Sequence, residues 1–171
     1  MSKEFIFRHA TEADQPAILA IIRQAQAQMA EAGSDQWQNG YPAAPAIERD
    51  RRKGVGYVLC EEGCVVAYGA VVFTGEEAYT ALEGAWNTPE EYVVVHRLAV
   101  ARTLQGRGIA AEFLRRVEAL ARTQGVYGFR IDTNFDNRRM LRLLERKGFS
   151  YTGKVRYESG ERLAFDKPIN R

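Results

Sequence analysis

Apolar positions along the chain change period repeatedly, and each change marks an element. Glu4-Phe5-Ile6-Phe7-Arg8-His9 reads as a short strand. Ile18, Ile21, Ile22, Ala25 and Met29 then recur at helical spacing until Gly33 stops the run, so the pattern predicts an amphipathic helix. Thr11-Glu12-Ala13-Asp14 resembles a capping box ahead of it; Pro16 fits only in a first turn, which favours Asp14 as the true cap. Ser34 to Pro45 breaks the pattern with Trp37, Tyr41 and Pro42 inside a polar loop, and Pro45 can open a second short helix closed by Gly54.

Strand-like runs at Tyr57 to Cys60 and Val65 to Phe73 flank the turn Glu61-Glu62-Gly63 and predict a hairpin. Thr74 to Glu91 is irregular and acidic. The β-branched run Tyr92 to Val95, continuing to Val100, reads as a buried strand; Ile109, Phe113, Val117, Leu120 and Ala121 form the stripe of the helix that follows. Phe129 to Thr133 is a further strand. A helix opens at Asn137 with Met140, Leu141, Leu143 and Leu144 on its apolar face, and Gly148 ends it. Two strands near Tyr151 to Tyr157 and Arg162 to Phe165 complete the chain. This order predicts one α/β domain over residues 1–171, a mixed sheet of about six to seven strands with helices on its faces; only the strands around the long helix require a parallel crossover.

Composition adds limits. The 24 basic and 22 acidic residues of the 171 give no field favouring nucleic acid or a membrane surface. No apolar run approaches the roughly 20 residues of a membrane span, so a cytoplasmic protein is expected. Cys60 and Cys64 lack the partners of a closed zinc site, and no metal is expected.

The chemistry concentrates at the strand-to-helix turn Gln105-Gly106-Arg107-Gly108-Ile109-Ala110. The first amides of a helix have no partner within it, and the helix dipole places about half a positive charge there. Glycines at 106 and 108 let backbone approach an anion without a Cβ in the way. A diphosphate held by N–H groups of Gly106 to Ala110 is the expectation, with Arg107 as an added cation; a turn that merely links strand to helix is the alternative.

The segment Val95 to Phe149 resembles the acetyl-CoA core of the GNAT superfamily of N-acyltransferases. The family's glycine pattern is present as Gln105-Gly106-Arg107-Gly108-Ile109-Ala110 after the strand ending Arg97-Leu98-Ala99-Val100, and its second block as Asn137 through Gly148-Phe149. The resemblance implies a mostly antiparallel sheet with one parallel crossover at the cofactor site, and acetyl-CoA as co-substrate. It implies that Leu98, Ala99 and Val100 pair with the pantetheine arm, that Gln105 to Ala110 hold the pyrophosphate, and that Asn137 and Met140 border the thiol end. The Leu98 N–H would polarise the acetyl carbonyl.

The implied reaction is direct attack by a primary amine of a small molecule or peptide, in a monomer or homodimer. Such an amine must lose a proton first. Two departures bear on this: the glutamate many members carry before the glycine turn is Val94 here, and a tyrosine of the later helix is Leu144. His96 is the candidate base or water-relay residue, with Tyr151 and Tyr157 as candidate acids; a histidine packed within the sheet is the structural alternative. Trp37, Tyr41 and Glu83 are candidate acceptor contacts, the aromatics equally able to anchor their loop to the core. A module that binds acyl-CoA without turnover is one alternative. An NAD-binding oxidoreductase is another, since Gly106 to Ala111 also fits G-x-G-x-x-A with Asp132 further on. Against it, Ala101 to Gln105 separate strand from glycines and too little chain follows Asp132.

Overall fold

The computed structural model describes residues 4–171. Its elements run β1 (Phe5–His9), α1 (Gln15–Glu31), α2 (Ala44–Arg52), β2 (Gly56–Glu61), β3 (Cys64–Val72), β4 (Glu83–Gly84), β5 (Val93–Val100), α3 (Ile109–Thr123), β6 (Gly128–Thr133), α4 (Arg138–Arg146), β7 (Ser150–Tyr157) and β8 (Gly160–Pro168). The strands form one mixed sheet in the order β1-β2-β3-β5-β6-β8-β7-β4. Its parallel pair is β5 with β6, which sets Val93 opposite Phe129 and Val94 opposite Arg130. Among the described residues no helix is long and apolar enough to cross a membrane.

The expected elements are present, with α3 bounded as the periodicity predicts. The difference is β4, a two-residue strand inside the irregular acidic segment, paired with β7 through Glu83–Lys154 and Gly84–Gly153. A side chain at Gly84 would set its Cβ 2.0 Å from the Thr152 carbonyl oxygen, so glycine is what lets the two backbones meet. So short a strand has no hydrophobic period to betray it.

The chain divides into two compact units. One comprises the described residues up to Val71 with His96–Arg116; the other comprises Val72–Val95 and Val117–Arg171. In the first, β1 and β2 pair antiparallel, as do β2 and β3, and Ala101 N–H donates to Val66 C=O at 2.9 Å. Its core joins Ile18, Ile21, Ile22 and Ala25 of α1 to Ile47 of α2, Val58 and Cys60 of β2, Tyr68 of β3 and Ala99 of β5. Each isoleucine so buried contributes roughly 1.5–3 kcal/mol. The capping box expected at Thr11 to Asp14 is present and closes a 3-10 turn, Glu12–Asp14, ahead of α1; the Asp14 carboxylate accepts from the Thr11 N–H at 2.7 Å, the Thr11 hydroxyl at 3.1 Å and the Arg8 guanidinium at 2.7 and 3.0 Å. Cys60 is buried and Cys64 exposed, both as free thiols.

In the second unit β6, β8 and β7 pair antiparallel. Its core is aromatic: Tyr79 and Tyr92 pack with Val94, Val155 and Ala164, joined by Trp86 and Tyr157. The Arg130 guanidinium lies 4.3 Å from the Trp86 ring centre and 4.1 Å from that of Tyr92. Three oxygens receive it: the Thr88 hydroxyl at 3.1 Å, the Thr88 carbonyl at 3.1 Å and the Pro89 carbonyl at 2.9 Å. Satisfying that buried cation orders the segment leading into β5.

Candidate active site

The glycine turn lies in the first unit, between a 3-10 turn at Arg102–Leu104 and the start of α3. Gly106 and Gly108 take φ of +83° and +75°, left-handed values that cost residues with a Cβ about 1–2 kcal/mol. A Cβ at either glycine would meet nothing within 4 Å, so the space over the turn is open. The first helical hydrogen bond of α3 runs from Glu112 N–H to Gly108 C=O at 3.0 Å; the amides of Ile109, Ala110 and Ala111 precede it.

α1 holds this turn in place. Gln24 Oε1 accepts from the Arg102 N–H at 2.9 Å, Arg102 forks onto Glu31, and the Gln28 and Gln105 side-chain amides hydrogen-bond each other. Arg107 is already engaged: its guanidinium meets the buried Glu61 carboxylate at 3.1 and 3.3 Å. The turn's charge for an anion therefore comes from backbone first, with Arg107 partly neutralised.

Strand β5 carries a feature that hydrophobic patterning does not reveal. Arg97 has φ +57°, a left-handed residue inside an otherwise extended strand. Its side chain is held by Asp50 of α2, Nε to Oδ2 at 2.9 Å and Nη2 to Oδ1 at 2.6 Å, while Nη1 donates to the Tyr41 hydroxyl at 2.8 Å. The Tyr68 hydroxyl donates to Asp50 Oδ2 at 2.5 Å. Burial alone would lower the affinity of Arg97 for its proton, but Asp50 more than reverses this and holds the guanidinium charged. Burial, then the Asp50 charge, pushes the Tyr68 hydroxyl far above the usual phenol range.

In the second unit the central strand β6 carries a carboxylate, Asp132. Oδ2 accepts from the hydroxyls of Tyr79 and Tyr157, each at 2.7 Å. Burial raises the Asp132 carboxyl above the ordinary range, and the two tyrosine hydrogen bonds oppose the rise. Both tyrosines are pushed upward, by burial first and the neighbouring carboxylate second.

The remaining expected residues fall as follows. Leu98 and Ala99 are buried and Val100 half-buried, next to the left-handed Arg97. His96 is half-buried. Val94 and Leu144 are fully buried core positions. Asn137 caps α4, its side chain accepting from the Met140 N–H at 3.2 Å; Met140 is half-buried. Tyr151 is 54% exposed against the Phe165 ring, whereas the Tyr157 hydroxyl is committed to Asp132. Trp37 packs on the first unit's core, the anchoring alternative for its loop. The Tyr41 hydroxyl accepts from Arg97 Nη1 at 2.8 Å, and Glu83 accepts from Arg156 Nε at 3.2 Å with both side chains exposed.

Asp50 and Tyr68 were not among the site residues the chain suggested; Tyr157 was suggested as an acid and Asp132 only as the acidic position of the dinucleotide pattern, and their grouping with Tyr79 was not foreseen. The available signal was an aspartate inside the apolar run of β6; its partners lie 53 and 25 residues away along the chain.

Residues 22–149 match the family model of the acetyltransferase (GNAT) family. The chain is similar to the crystal structure of a GNAT-family acetyltransferase from Streptococcus agalactiae, at 35% identity and a TM-score of 0.89 over 98% of this chain and 96% of the other. A GNAT-family acetyltransferase from Listeria monocytogenes shares the fold at 21% identity, TM-score 0.76 and 99% coverage of each chain. A crystal structure from Staphylococcus aureus does so at 23% identity and TM-score 0.73, over 96% of this chain and 99% of the other. No curated protein matches the chain.

Proposed function

The chain belongs to the GNAT family of acetyltransferases, and from that premise we propose that it transfers an acetyl group from acetyl-CoA to a primary amine of a small molecule or peptide by direct attack. The observation that carries the reading is the glycine turn ahead of α3. Amides of Ile109 to Ala111 precede the first helical hydrogen bond, and glycines with open space above them lie beside those amides. Such a turn suits a diphosphate, since each phosphate oxygen gains N–H donors and the helix dipole adds attraction.

Backbone of Leu98 to Val100 takes the pantetheine arm in this reading, and the Leu98 N–H donates to the acetyl carbonyl oxygen as charge develops there. The left-handed residue before Leu98 supports that choice, because a local break in strand geometry re-aims the next amide. His96, half-buried on the same strand, acts as a water-relay residue for the proton the amine gives up.

Isothermal titration of the full chain with acetyl-CoA and, in parallel, NADH tests the cofactor assignment; thiol release over a panel of primary amines tests transfer. Acetyl-CoA binding that weakens in Gly108→Val, together with amine-dependent thiol release, is the expected result. Binding of NADH alone would overturn the reading, and acetyl-CoA binding with no release on any amine would make the chain a binding module.

A further inference from the structure

We propose that Asp50 is a positioning residue for acyl transfer: through the fork that Arg97 makes onto it, it holds the left-handed break in β5 that aims the Leu98 N–H. The proposal rests on the transferase reading above and deepens it. Every residue in it belongs to the first unit.

Two unfavourable choices meet at one position. The middle of a strand ordinarily carries an extended, apolar residue. Position 97 instead holds φ +57° and sinks a guanidinium whose side chain is 18% exposed against a carboxylate that is 5% exposed. As a stability device the pair adds little, because apolar side chains of similar volume serve as well or better. It is accounted for if what it fixes is the direction of the backbone immediately before Leu98.

The brace is complete at the side chains. Asp50 Oδ1 accepts from Arg97 Nη2 at 2.6 Å, and Oδ2 accepts from Nε at 2.9 Å and from the Tyr68 hydroxyl at 2.5 Å. Nη1 donates to the Tyr41 hydroxyl at 2.8 Å, so each guanidinium nitrogen has a partner and Arg97 acts by position rather than as a cation for a ligand. Tyr68 is fully buried, and a Cβ on Gly56 would lie 3.3 Å from its hydroxyl, which leaves the ring no room to retreat.

Backbone bonds fix both ends. The Asp50 carbonyl accepts from the Val55 N–H at 2.9 Å, and the Val55 carbonyl accepts from the Val71 N–H at 2.8 Å, tying the end of α2 to β3. Beyond the break, the Ala101 N–H donates to the Val66 carbonyl at 2.9 Å, also on β3. Leu98 therefore lies between two points anchored on one strand.

Direction matters because charge in the transfer step develops on oxygen. As the amine nitrogen's electron pair forms the N–C bond, the carbonyl pair shifts onto oxygen. It returns when the C–S bond breaks; sulfur keeps that bond's pair, and the nitrogen's proton passes to water. A donor turned away from that oxygen loses much of its hydrogen bond. The amides ahead of α3 do not depend on this direction, so Asp50 acts on turnover and spares affinity.

The test uses the full chain and acetyl-CoA, with butylamine, phenethylamine and lysine methyl ester as acceptors. Thiol release gives kcat and calorimetry gives affinity. The three-bond coupling between the amide and α protons of Arg97 reports φ without turnover. Asp50→Asn is expected to move that coupling toward the extended value and to lower kcat about tenfold or more, with acetyl-CoA affinity within about threefold of wild type. Arg97→Gly loses the fork but accepts a left-handed φ, so it keeps more of kcat than Arg97→Ala. In the Arg97→Gly background, Asp50→Asn is expected to change kcat by less than about twofold, because the route from Asp50 to Leu98 is gone; a merely structural Asp50 would show the same loss in both backgrounds. That double variant leaves neither charge buried alone, so it reports even where Asp50→Asn by itself does not fold. Wild-type coupling and kcat in Asp50→Asn, or equal losses in the two backgrounds, overturn the proposal. If wild type binds acetyl-CoA but releases thiol with none of the amines, the transferase reading falls and takes the proposal with it. If wild type turns over while Arg97→Gly and Arg97→Ala lose kcat equally, only the positioning role falls.

Discussion

Arg97 grips Asp50 with two hydrogen bonds, at 2.9 and 2.6 Å, from a backbone position whose φ is +57°. The two facts belong together. A left-handed non-glycine residue inside a strand is unfavourable by about 1–2 kcal/mol and persists where neighbouring contacts over-determine it. The fork onto Asp50, the Tyr41 hydroxyl on Nη1 and the Tyr68 hydroxyl on the same carboxylate are those contacts. The element that carries the amide of Leu98 is thereby set by side chains of α2 and β3.

Replacing Arg97 separates the two contributions. Arg97→Ala leaves Asp50 buried without its cation and is expected to lower stability by about 3 kcal/mol or more in urea unfolding. Arg97→Gly loses the same fork but relieves the backbone, so it should be the more stable of the two by about 1 kcal/mol, the reverse of the usual order in a strand. Equal stability for both variants would mean that φ at this position carries no strain.

At the glycine turn, Gly108→Val meets no neighbour, since a Cβ there has open space, but it must adopt φ +75°. The expected cost to folding is about 1–2 kcal/mol. Acetyl-CoA affinity is expected to fall by about tenfold or more, because the side chain occupies the approach to the amides. Titration calorimetry beside a thermal melt distinguishes the two effects.

Acid should weaken the first unit through Asp14. The Arg8 hydrogen bond, assisted by those from Thr11, holds its carboxyl down at about 2. A depressed carboxylate stabilises the fold above its unfolded value near 3.8, and that contribution disappears as pH falls toward about 2. The expected loss is about 1–2 kcal/mol, discounted because Arg8 is 40% exposed. Asp14→Asn should be less stable than wild type at neutral pH and show a flatter decline on acidification, measured by urea unfolding from pH 6 to pH 2.

Where β4 meets β7, Gly153→Ala would place a Cβ 2.2 Å from the Glu83 carbonyl oxygen. Backbone must then move apart, and a loss of about 1–3 kcal/mol is expected together with faster amide exchange around Glu83 and Gly84. Unchanged exchange would show that the close approach does not hold the short strand.

Local pattern determined much of this protein by itself. The helical stripe from Ile18 to Ala25, the run into Val100 and the spacing from Ile109 to Ala121 each depend on neighbours a few residues away, and α1, β5 and α3 stand where those periods put them. Glycines at 106 and 108 marked a turn before α3 for the same reason, since left-handed backbone is a property of single residues. Only the tertiary structure decided the rest. Asp50 reaches Arg97 across 47 residues and Asp132 reaches Tyr79 across 53, and no period along the chain records which distant side chain satisfies a buried charge. Arg107 illustrates the same limit from the other side: its place beside the turn was legible, but its partner Glu61, a residue of the hairpin, was chosen by the packing of strands that contribute no signal near position 107.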